Sequence, residues 1–517
     1  MKTDRILWAD DEIDLLKAHV LFLEAKGYEV VCVNNGEDAV QSVKEQHFDI
    51  VFLDENMPGM NGLEALSLIK EIDNSVPVVM ITKSEEEDLM TQAIGKKIAD
   101  YLIKPVNPSQ ILLSIKKNLN KKEIISSTTT DNYRSEFSRI GMQINDSLTY
   151  QDWVEVYKKL VYWELELEQT EAQMSDVLRM QKEEADSTFV KFVKKNYEAW
   201  FSEGGDHPMM SHEVFKKRLF PLLDNEEKIF FVVFDNFRYD QWRIVKDLLM
   251  DDFVVDDEEI YCSILPTATQ YARNALFAGL MPLQIKKMFP QYWVEEESEE
   301  GKNNFEDELI GTQIDRFRKK YTYSYHKIND SVSCEKLIND FKSYASNQLN
   351  VAVFNFVDML SHARTDSKMI RELASTEAAY RSLTKSWFQH SPIGEFFRLL
   401  AQNGFKVMIT TDHGTIRVEN AVRVVGDRNT NTNLRYKVGK SLNYNKKEVF
   451  PITQPEKVGL PSPNVSSSYI FACNDDFLAY PNNYNYYVSY YKNTFQHGGI
   501  SMEEMLIPLV TLQSKKK

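Results

Sequence analysis

Cysteine is scarce in this sequence and forms no motif. The four cysteines, Cys32, Cys262, Cys334 and Cys473, lie far apart and include no CxxC pair. Such a distribution excludes a disulfide framework and a cysteine-based zinc ribbon, and it is typical of a reducing compartment. We therefore expect a cytoplasmic protein.

Long apolar runs are also missing. The longest, such as IFFVVF at 229–234, have the length of a β-strand and are too short to span a bilayer. The opening stretch MKTDRILWADDE has acids where a signal peptide would have its apolar core. We therefore expect neither a membrane segment nor a secretion signal.

Positive charge is in deficit. The 77 Asp and Glu residues exceed the 61 Lys and Arg residues, and the formal net charge is −16. Proteins that bind DNA neutralise its phosphates with clustered Lys and Arg, and no segment here has a basic balance. We expect no direct DNA binding, although a small phosphorylated substrate held by metal ions is compatible with this charge.

The chain of 517 residues is too long for a single core, which predicts several domains. Residues 1–120 alternate five strand-like runs with amphipathic stretches, which predicts βαβ units and a doubly wound parallel sheet. Residues 121–204 have helical apolar spacing and predict a helical bundle, preceded by a Lys/Ser/Thr-rich linker at 121–132. The stretch SEGGDHP at 202–208 indicates a boundary, and strand–helix alternation returns in an α/β domain over 205–517.

The helical segment carries its own start signal. Thr149 and Asp152 have the spacing of a capping box, which closes the first turn of a helix. Downstream of it, apolar side chains recur with the period of one helix face, namely Trp153, Val156, Tyr157 and Leu160. This spacing predicts a helix that packs against a core.

In the C-terminal part, the apolar runs KIFFVVFD, NVAVFNFVD and FKVMITTD each lead to an aspartate. Open α/β sheets bind ligands at the carboxyl ends of their strands, so these acids are predicted to share a site. The stretch EEESEE at 295–300 and the Asn/Tyr-rich segments 429–447 and 480–493 have the composition of surface insertions.

Polar residues follow the strands of the N-terminal part in a repeated way. Asp10 and Asp11 follow the first strand, Asp54 the third, Thr82 ends the fourth, and Lys104 follows the fifth. Acids occur by chance in βα turns, but this set converges on one sheet edge. It can hold Mg²⁺ through oxygens and leave one carboxylate free to accept a phosphoryl group.

Together with the stretch DENMPGMNG, these residues resemble the receiver domain of bacterial response regulators over essentially all of 1–120. The resemblance implies that Asp54 is the phosphoacceptor and that a sensor histidine kinase is the partner. It also implies that Mg²⁺ is held by Asp10, Asp11 and the backbone carbonyl of Asn56.

The same resemblance implies a switch pair, Thr82 and Tyr101, and a lysine, Lys104, that pairs with the phosphoryl charge. A cis bond between Lys104 and Pro105 would aim that lysine. Asn61 stands where receivers usually carry Asp. Because this position lies at the surface, we expect the difference to have no effect.

A second set of acids is mixed with histidines and lies in the C-terminal part. Its members are Asp235, Asp358, His362, Asp412, His413 and His497. Taken singly, each is explained by a capped turn or a satisfied core histidine. Taken together at strand ends they predict a site for two metal ions, and Asp/His sets suit Zn²⁺ or Mn²⁺ better than Mg²⁺.

The stretch LPTATQYARNALFAG at 265–279 adds a candidate nucleophile. A Pro-led loop presents Thr267 and Thr269 just before a helix, where the helix dipole favours an arriving phosphate. An ordinary N-cap would explain the same residues. Arg273, one turn further, is either a ligand for a phosphoryl oxygen or a solvated surface charge.

In chain order, the motifs Asp, PTxT, DxxxH, TDHG and HG resemble the alkaline phosphatase superfamily, and specifically the PglZ-type domain. The resemblance implies Thr269 as nucleophile and two metal ions, one bound by Asp235, Asp412, His413 and the Thr269 hydroxyl and the other by Asp358, His362 and His497. Asn236 stands where the family often has Gly.

A receiver, a helical middle and a PglZ-type domain in one chain resemble the PorX-type response regulators, which are linked to type IX secretion and gliding. The Thr nucleophile resembles the diesterase branch of the superfamily more than the monoesterase branch, which implies a zinc-dependent phosphodiesterase that acts on a nucleotide or oligonucleotide. From the receiver we expect control by phosphorylation of Asp54 and a homodimer on phosphorylation. The alternative is a non-catalytic regulator that binds a partner such as a sigma factor or a secretion component.

Overall fold

In a computed structural model of the chain, the described residues are 4–83, 98–119, 121–168, 172–202, 204–296, 298, 301–427, 430–462, 464 and 466–515. The chain divides into two compact units, residues 1–132 and residues 133–517. Each unit is described separately below. Among the described residues, no helix combines the length and the apolar character needed to cross a bilayer.

The first unit is built on a five-stranded parallel sheet with the order β2-β1-β3-β4-β5. Its strands are β1 (Arg5–Ala9), β2 (Glu29–Val33), β3 (Ile50–Asp54), β4 (Val78–Thr82) and β5 (Asp100–Ile103). The described helices are α1 (Lys17–Ala25), α2 (Gly36–Glu45), α3 (Gly62–Ile72) and α4 (Pro108–Leu119). Strands β3 and β4 are buried along their whole length, as expected for a parallel sheet covered on both faces. The predicted doubly wound fold is confirmed.

Three long helices follow, α5 (Lys121–Asp146), α6 (Tyr150–Leu167) and α7 (Ala172–Asn196). Residues 121–132, which we predicted to be a linker from their Lys, Ser and Thr content, are helical. Ser and Thr cost a helix less than about 0.7 kcal/mol per residue, and this stretch has no Gly or Pro to break it. The predicted capping box is present, since Thr149 accepts from the backbone of Asp152 and the Asp152 carboxylate accepts from Thr149 N.

The helical segment shares a hydrophobic core with the C-terminal part. The predicted apolar face of α6 is buried, and the Tyr157 ring lies 6.0 Å from that of Tyr239. Just beyond α7, the Tyr197 ring lies 6.4 Å from that of Phe450. Residues 202–208, where we expected a boundary, therefore lie inside one compact unit and do not separate two cores.

The remaining strands are β6 (Ile229–Phe234), β7 (Phe253–Cys262), β8 (Tyr323–Ile328), β9 (Leu349–Phe354), β10 (Lys406–Thr410), β11 (Ile416–Arg417), β12 (Asn420–Arg423), β13 (Tyr436–Gly439), β14 (Val449–Ile452), β15 (Ser468–Ala472), β16 (Asp476–Ala479), β17 (Phe495–Gln496) and β18 (Leu506–Ser514). Six of them form a mixed sheet with the order β7-β18-β10-β6-β9-β8. Strands β10, β6, β9 and β8 run parallel, and β18 is antiparallel to both of its neighbours.

The helices around this sheet are α8 (Phe220–Asp224), α9 (Tyr239–Val245), α10 (Thr269–Ala278), α11 (Pro282–Met288), α12 (Glu306–Arg316), α13 (Ser331–Asn339), α14 (Phe341–Tyr344), α15 (Phe356–Asp366), α16 (Lys368–Leu373), α17 (Glu377–His390), α18 (Ile393–Gln402), α19 (Tyr484–Tyr491) and α20 (Met502–Met505). Asp235 and Asp412 follow neighbouring strands, β6 and β10, as predicted. Strand β9 ends before Asp358, which lies in the first turn of α15 instead of at the strand end.

The predicted surface insertions differ from one another. Segment 429–447 contains β13, in which Tyr436 and Val438 are buried, so this part is not a surface insertion. Helix α19, within 480–493, has no buried residue. In the acidic stretch 295–300, residues 297, 299 and 300 lie outside the described residues, and Glu296 accepts a hydrogen bond from Tyr436 at 2.6 Å.

Candidate functional site

The receiver residues meet at the carboxyl edge of the parallel sheet. Carboxylate oxygens of Asp10, Asp11 and Asp54 lie within 4.8 Å of one another. The Lys104 ammonium lies 2.9 Å from both Asp10 Oδ2 and Asp54 Oδ1, and the peptide bond before Pro105 is cis, as predicted. The three carboxylates form an all-oxygen set, which fits Mg²⁺.

Burial raises the pKa of Asp54 to about 6, against the opposing effect of its hydrogen bond with Lys104. Thr82 ends β4, and its hydroxyl donates to the Glu55 carboxylate. Tyr101 is half-buried on the neighbouring strand β5, and Asn56 is exposed beyond Asp54. The structure therefore places the predicted switch residues on adjacent strands.

One group in the C-terminal unit surrounds the hydroxyl of Thr269. Ligand atoms of Asp235, Asp412 and His413 lie within 4.8 Å of one another, and all three residues are buried. Thr269 Oγ1 lies 3.1 Å from His413 Nε2 and 3.4 Å from Asp235 Oδ1. Thr269 is the first residue of α10, so its hydroxyl lies at the positive end of that helix.

A second group lies beside the first. Ligand atoms of Asp358, His362 and His497 also fall within 4.8 Å of one another. Asp358 Oδ2 is 3.4 Å from His362 Nε2, and Asp358 Oδ1 is 3.6 Å from His497 Nε2. The rings of His413 and His497 stack with centroids 4.2 Å apart, so the two groups are adjacent.

Backbone carbonyls orient two of the imidazoles. His413 Nδ1 lies 3.1 Å from the carbonyl oxygen of Gly414, and His497 Nδ1 lies 3.2 Å from that of Thr267. A carbonyl accepts a hydrogen bond, so each Nδ1 carries the proton and each Nε2 presents a lone pair to its ligand group. Histidines that bind metals are held in this way by their other ring nitrogen.

The donor chemistry of the two groups fits divalent cations. Burial raises the pKa of Asp235 to about 8, although the Arg273 guanidinium opposes this, and burial also raises the pKa of Asp412. Burial lowers the pKa of His497 to about 3, which keeps its imidazole neutral at pH 7. A bound cation would favour ionised carboxylates and neutral imidazoles, and mixed oxygen and nitrogen donors suit Zn²⁺ or Mn²⁺.

Asn236, where the family often has Gly, is in the left-handed region with a φ of 64°. Gly enters this region without strain, and Asn is among the residues that tolerate it best. Its backbone N–H donates to Asp412 Oδ1 at 3.3 Å, and its side-chain amide donates to Asp358 Oδ1 at 3.3 Å. Asn236 therefore keeps the loop shape and joins the two groups, a role that sequence reasoning missed.

Arg273 is 2 % exposed, so the alternative of a solvated surface charge is wrong. Its Nη1 lies 2.7 Å from Asp235 Oδ2, and its Nε donates to the buried carboxylate of Glu306 at 2.5 Å. The guanidinium thus orients Asp235. Glu306 was missed because it begins a helix, where an acid is usually exposed, and nothing in the sequence links it to Arg273, 33 positions away.

Thr267 and Thr269 have different exposures. Thr267 is completely buried, and its hydroxyl donates to the Gly499 carbonyl at 2.8 Å and accepts from Gly498 N at 3.1 Å. Thr269 instead lines an open cleft. The geometry therefore gives Thr267 a structural role in the loop of His497 and leaves Thr269 facing the cleft.

The cleft beside the two groups has a volume of about 1110 Å³. His362 and His497 line it, together with hydroxyl, amide and aromatic side chains that sequence reasoning did not select, among them Asn303, Asn431, Asn433, Tyr436 and Tyr491. The Nδ2 donor of Asn431 is buried and has no hydrogen-bond partner among the described residues. Segment 430–436 was considered an insertion, so its place on the cleft was missed.

Comparison with family models divides the chain into three matches. The model described as the response regulator receiver domain matches residues 6–116, and the one described as the PorX response regulator linker domain matches residues 123–201. The model described as the BREX system PglZ alkaline phosphatase-like domain matches residues 214–512.

Curated relatives match about a quarter of the chain. The transcriptional regulatory protein ZraR of Klebsiella oxytoca is 32 % identical over 136 residues, which are 26 % of this chain and 31 % of that protein. The transcriptional regulatory protein ResD of Bacillus subtilis is 31 % identical over 117 residues, which are 23 % of this chain and 48 % of that protein. This chain therefore spans less than half the length of either relative.

Solved structures match to a similar extent. A CheY-like response regulator receiver domain protein of Methanospirillum hungatei is 26 % identical, covers 24 % of this chain and 98 % of its own, and has a TM-score of 0.23. The CheX–CheY–BeF3–Mg complex of Borrelia burgdorferi contains a chain that is 28 % identical, with coverages of 22 % and 87 % and a TM-score of 0.21.

Proposed function

The chain belongs to the family described as the BREX system PglZ alkaline phosphatase-like domain, and on this premise we propose that its C-terminal unit is a metal-dependent phosphodiesterase. The chain also carries a receiver domain, which implies a cognate sensor kinase. We thus propose that the protein is a two-component response regulator in which phosphorylation of Asp54 controls the hydrolysis of a phosphodiester.

The Thr269 hydroxyl lies within 3.4 Å of Asp235 and His413 in the first ligand group, with the second group next to it, and this arrangement carries the proposal. Asp235, Asp412 and His413, with the Thr269 hydroxyl, would hold one Zn²⁺ or Mn²⁺ ion. Asp358, His362 and His497 would hold the other. When bound, two such ions supply Lewis-acid stabilisation of the attacking and leaving oxygens of an in-line displacement.

The chain itself supplies the nucleophile and its orientation. Thr269 Oγ1 attacks phosphorus, the bond from phosphorus to the leaving alcohol breaks, and the Thr269 hydroxyl proton passes to solvent. The leaving oxygen takes a proton from solvent. Water then attacks the phosphothreonine, breaks its P–Oγ1 bond and restores the hydroxyl. Arg273 holds Asp235 in place through the 2.7 Å ion pair. A direct contact of Arg273 with a phosphoryl oxygen is proposed from its position one helical turn after Thr269.

The lining of the cleft favours a substrate that carries nucleobases. Its volume of about 1110 Å³ slightly exceeds the usual range for small-molecule sites, about 300–1,000 Å³. Tyr491 lines it, and the ring of Tyr487, which is 40 % exposed, stacks on Tyr491 at 6.1 Å. Bases stack on such rings.

The decisive experiment measures the rate at which zinc-loaded protein hydrolyses a diester, bis(p-nitrophenyl) phosphate, and in parallel a monoester, p-nitrophenyl phosphate. We expect faster turnover of the diester than of the monoester, and loss of diester turnover in Thr269→Val. No diester turnover by wild-type protein with two bound metal ions would overturn the proposal and would favour the non-catalytic regulator that binds a sigma factor or secretion component.

The nucleobase preference has its own test. Replacing Tyr491, which lines the cleft, by Leu should lower kcat/KM for a dinucleotide by about fivefold or more, since base stacking on an aromatic ring contributes about 1–3 kcal/mol. Turnover of the chromogenic diester should not change. Tyr486→Leu is the matched control, because Tyr486 is exposed on the same helix and does not line the cleft. Equal losses for both variants would count against stacking at Tyr491.

The physiological role is proposed from the linker match. Residues 123–201 match the model described as the PorX response regulator linker domain. The resemblance to PorX-type regulators implies control of type IX secretion and gliding, and we propose this role on that basis. Loss of secretion in a strain that carries Thr269→Val would support a catalytic output. Normal secretion in that strain would assign the control to binding of a partner.

A further inference from the structure

Helices α6 and α7 contribute charged side chains to a buried network with the C-terminal domain. Glu164 on α6 pairs with Arg381 on α17, with Oε1 and Nη1 2.8 Å apart. The other oxygen of Glu164 lies 2.6 Å from the ammonium of Lys182 on α7. Arg381 is 3 % exposed, so these charges are largely shielded from water.

One branch of the network leads to Arg238, three residues after Asp235. Arg381 Nη1 lies 3.0 Å from Asp240 Oδ2, and the same oxygen lies 2.6 Å from Arg238 Nη2. Arg238 Nη1 donates to the carbonyl of Thr415 at 3.3 Å. The other branch runs from Lys182 to Glu503, with Nζ and Oε1 3.3 Å apart.

Both branches end at Gly414, which follows the candidate ligand His413. A Cβ atom on Gly414 would lie 1.9 Å from the carbonyl oxygen of Glu503 and 3.2 Å from Cγ of Arg238. Gly414 N also donates to the carbonyl of Glu504 at 3.2 Å. Gly414 is therefore held between Arg238 and the 503–504 backbone, and its own carbonyl orients His413 through Nδ1.

The helical segment contacts two further loops of the site. The Tyr197 hydroxyl accepts from Leu265 N at 2.8 Å, at the start of the loop that leads to Thr269. Asp186 Oδ1 accepts from Met502 N at 2.8 Å, a few residues after His497. The segment thus contacts two stretches of backbone next to candidate site residues directly, and it reaches a third, at Gly414, through Arg238 and Glu503.

From these contacts we infer that Glu164 and Lys182 are positioning residues of the metal site: they act through Arg238, Glu503 and Gly414 on the imidazole of His413. The inference rests on the proposed role of His413 as a metal ligand. Loss of either charge leaves a buried partner uncompensated, so the network relaxes and the His413 ring loses its fixed orientation.

The test compares Glu164→Gln with Glu166→Gln in the full-length protein. Glu166 lies on the same helix and is exposed, so its substitution changes the same charge at the surface. We expect Glu164→Gln to weaken the binding of one of two Zn²⁺ ions at least tenfold, measured by competition with a chromophoric chelator. Glu166→Gln should bind both ions as the wild type does.

A spectroscopic readout separates positioning from general stability. With Co²⁺ in place of Zn²⁺, the visible absorption bands report the geometry of the ligands. Well below the melting temperature, Glu164→Gln should change these bands, and Glu164→Asp, which keeps the charge, should restore them in part. Unchanged bands and unchanged Zn²⁺ affinity in Glu164→Gln would overturn the inference.

The second branch keeps the inference testable if Glu164→Gln does not fold. Lys182→Met breaks the contact to Glu503, and Lys191→Met, at an exposed position of the same helix, is its control. Both readouts measure metal binding and need no turnover. Normal metal binding without diester hydrolysis in the wild type would therefore overturn the proposed function alone, and equal Zn²⁺ affinity in Lys182→Met and Lys191→Met would overturn the positioning role.

Discussion

Thr267 and Thr269 belong to one loop, yet their hydroxyl groups have different partners. Thr267→Val leaves the buried Gly498 N–H without an acceptor, which costs about 1–3 kcal/mol. We expect a lower melting temperature and weaker metal binding at His497, whose ring is held by the Thr267 carbonyl. Thr269→Val should keep the fold and most of the metal content, because Asp235, Asp412 and His413 of the same ligand group are unchanged. Thermal melts and metal analysis distinguish the two variants, and a Thr267→Val protein as stable as the wild type would contradict this assignment.

The two ligand groups predict separable metal positions. Zinc or manganese should bind at close to two ions per chain, and His413→Ala should empty one position while His362→Ala empties the other. Because ligands that bind only the folded state stabilise it, a chelator should also lower the melting temperature of the C-terminal unit. Elemental analysis that finds both variants fully loaded would remove the two-metal interpretation.

The predicted site residues could be recognised from sequence because their chemistry is local. Acids and histidines that directly follow buried parallel strands lie at the carboxyl edge of the sheet, whatever the rest of the fold. Arg238, Gly414 and Glu306 could not be recognised in the same way. Their roles depend on partners far along the chain, as in the pair of Arg238 with Glu377, 139 residues away, and on a close backbone approach at Gly414.

Among the elements, apolar periodicity predicted the strands and helices well, and composition predicted the connections poorly. The Lys/Ser/Thr-rich residues 121–132 were expected to be a linker and are helical, because propensity differences are small beside the cost of ending a helix. Segment 429–447 is polar in composition but contains the buried strand β13. The side chains of Asn431 and Asn433 accept hydrogen bonds from the backbone of Val438 and Arg435, and asparagines used in this way inside a domain resemble a surface loop in sequence.

Strand β13 places a buried lysine next to the cleft. Lys437 is 1 % exposed, its ammonium lies 4.4 Å from the Tyr480 ring centroid and donates to the Asn431 carbonyl, and no carboxylate pairs with it among the described residues. Burial lowers the pKa of Lys437 to about 7, below the unfolded value of about 10.4. Between these values the unfolded chain binds more protons, so the contribution of Lys437 to stability rises with pH.

We therefore expect Lys437→Met to raise the free energy of unfolding at pH 7 and to make it less dependent on pH between 7 and 10. Lys440→Met, at an exposed position just after β13, is the control. Urea melts of both variants and the wild type at several pH values provide the measurement. A pH dependence of Lys437→Met equal to that of Lys440→Met would show that the buried ammonium is not destabilising.

For the whole molecule, the expected response to phosphorylation is dimerisation. A phosphoryl group on Asp54 adds negative charge next to Lys104 and near the end of β4, where Thr82 lies. In receivers this charge draws the hydroxyl inward and reshapes the face used for pairing. We expect beryllofluoride with Mg²⁺ to shift the protein from monomer toward a two-fold dimer in sedimentation velocity.

Asp54→Ala is the control for this response, and it should stay monomeric with beryllofluoride while its zinc content is unchanged. A wild-type protein that also stays monomeric would show that the receiver controls the C-terminal unit through a separate partner.

The core that α6 and α7 share with the C-terminal sheet also sets how this protein can be recombined with others. Replacing the receiver domain by a foreign one leaves the stability of the C-terminal unit unchanged only if the junction keeps the apolar surface of that unit covered. A chimera that joins a foreign receiver near residue 133 keeps the contacts of Tyr157 with Tyr239 and of Tyr197 with Phe450. One that joins at residue 205 strips these contacts away. The helical segment and the C-terminal sheet must therefore be kept together in a chimera, and a new receiver domain can be joined only on the N-terminal side of the helical segment.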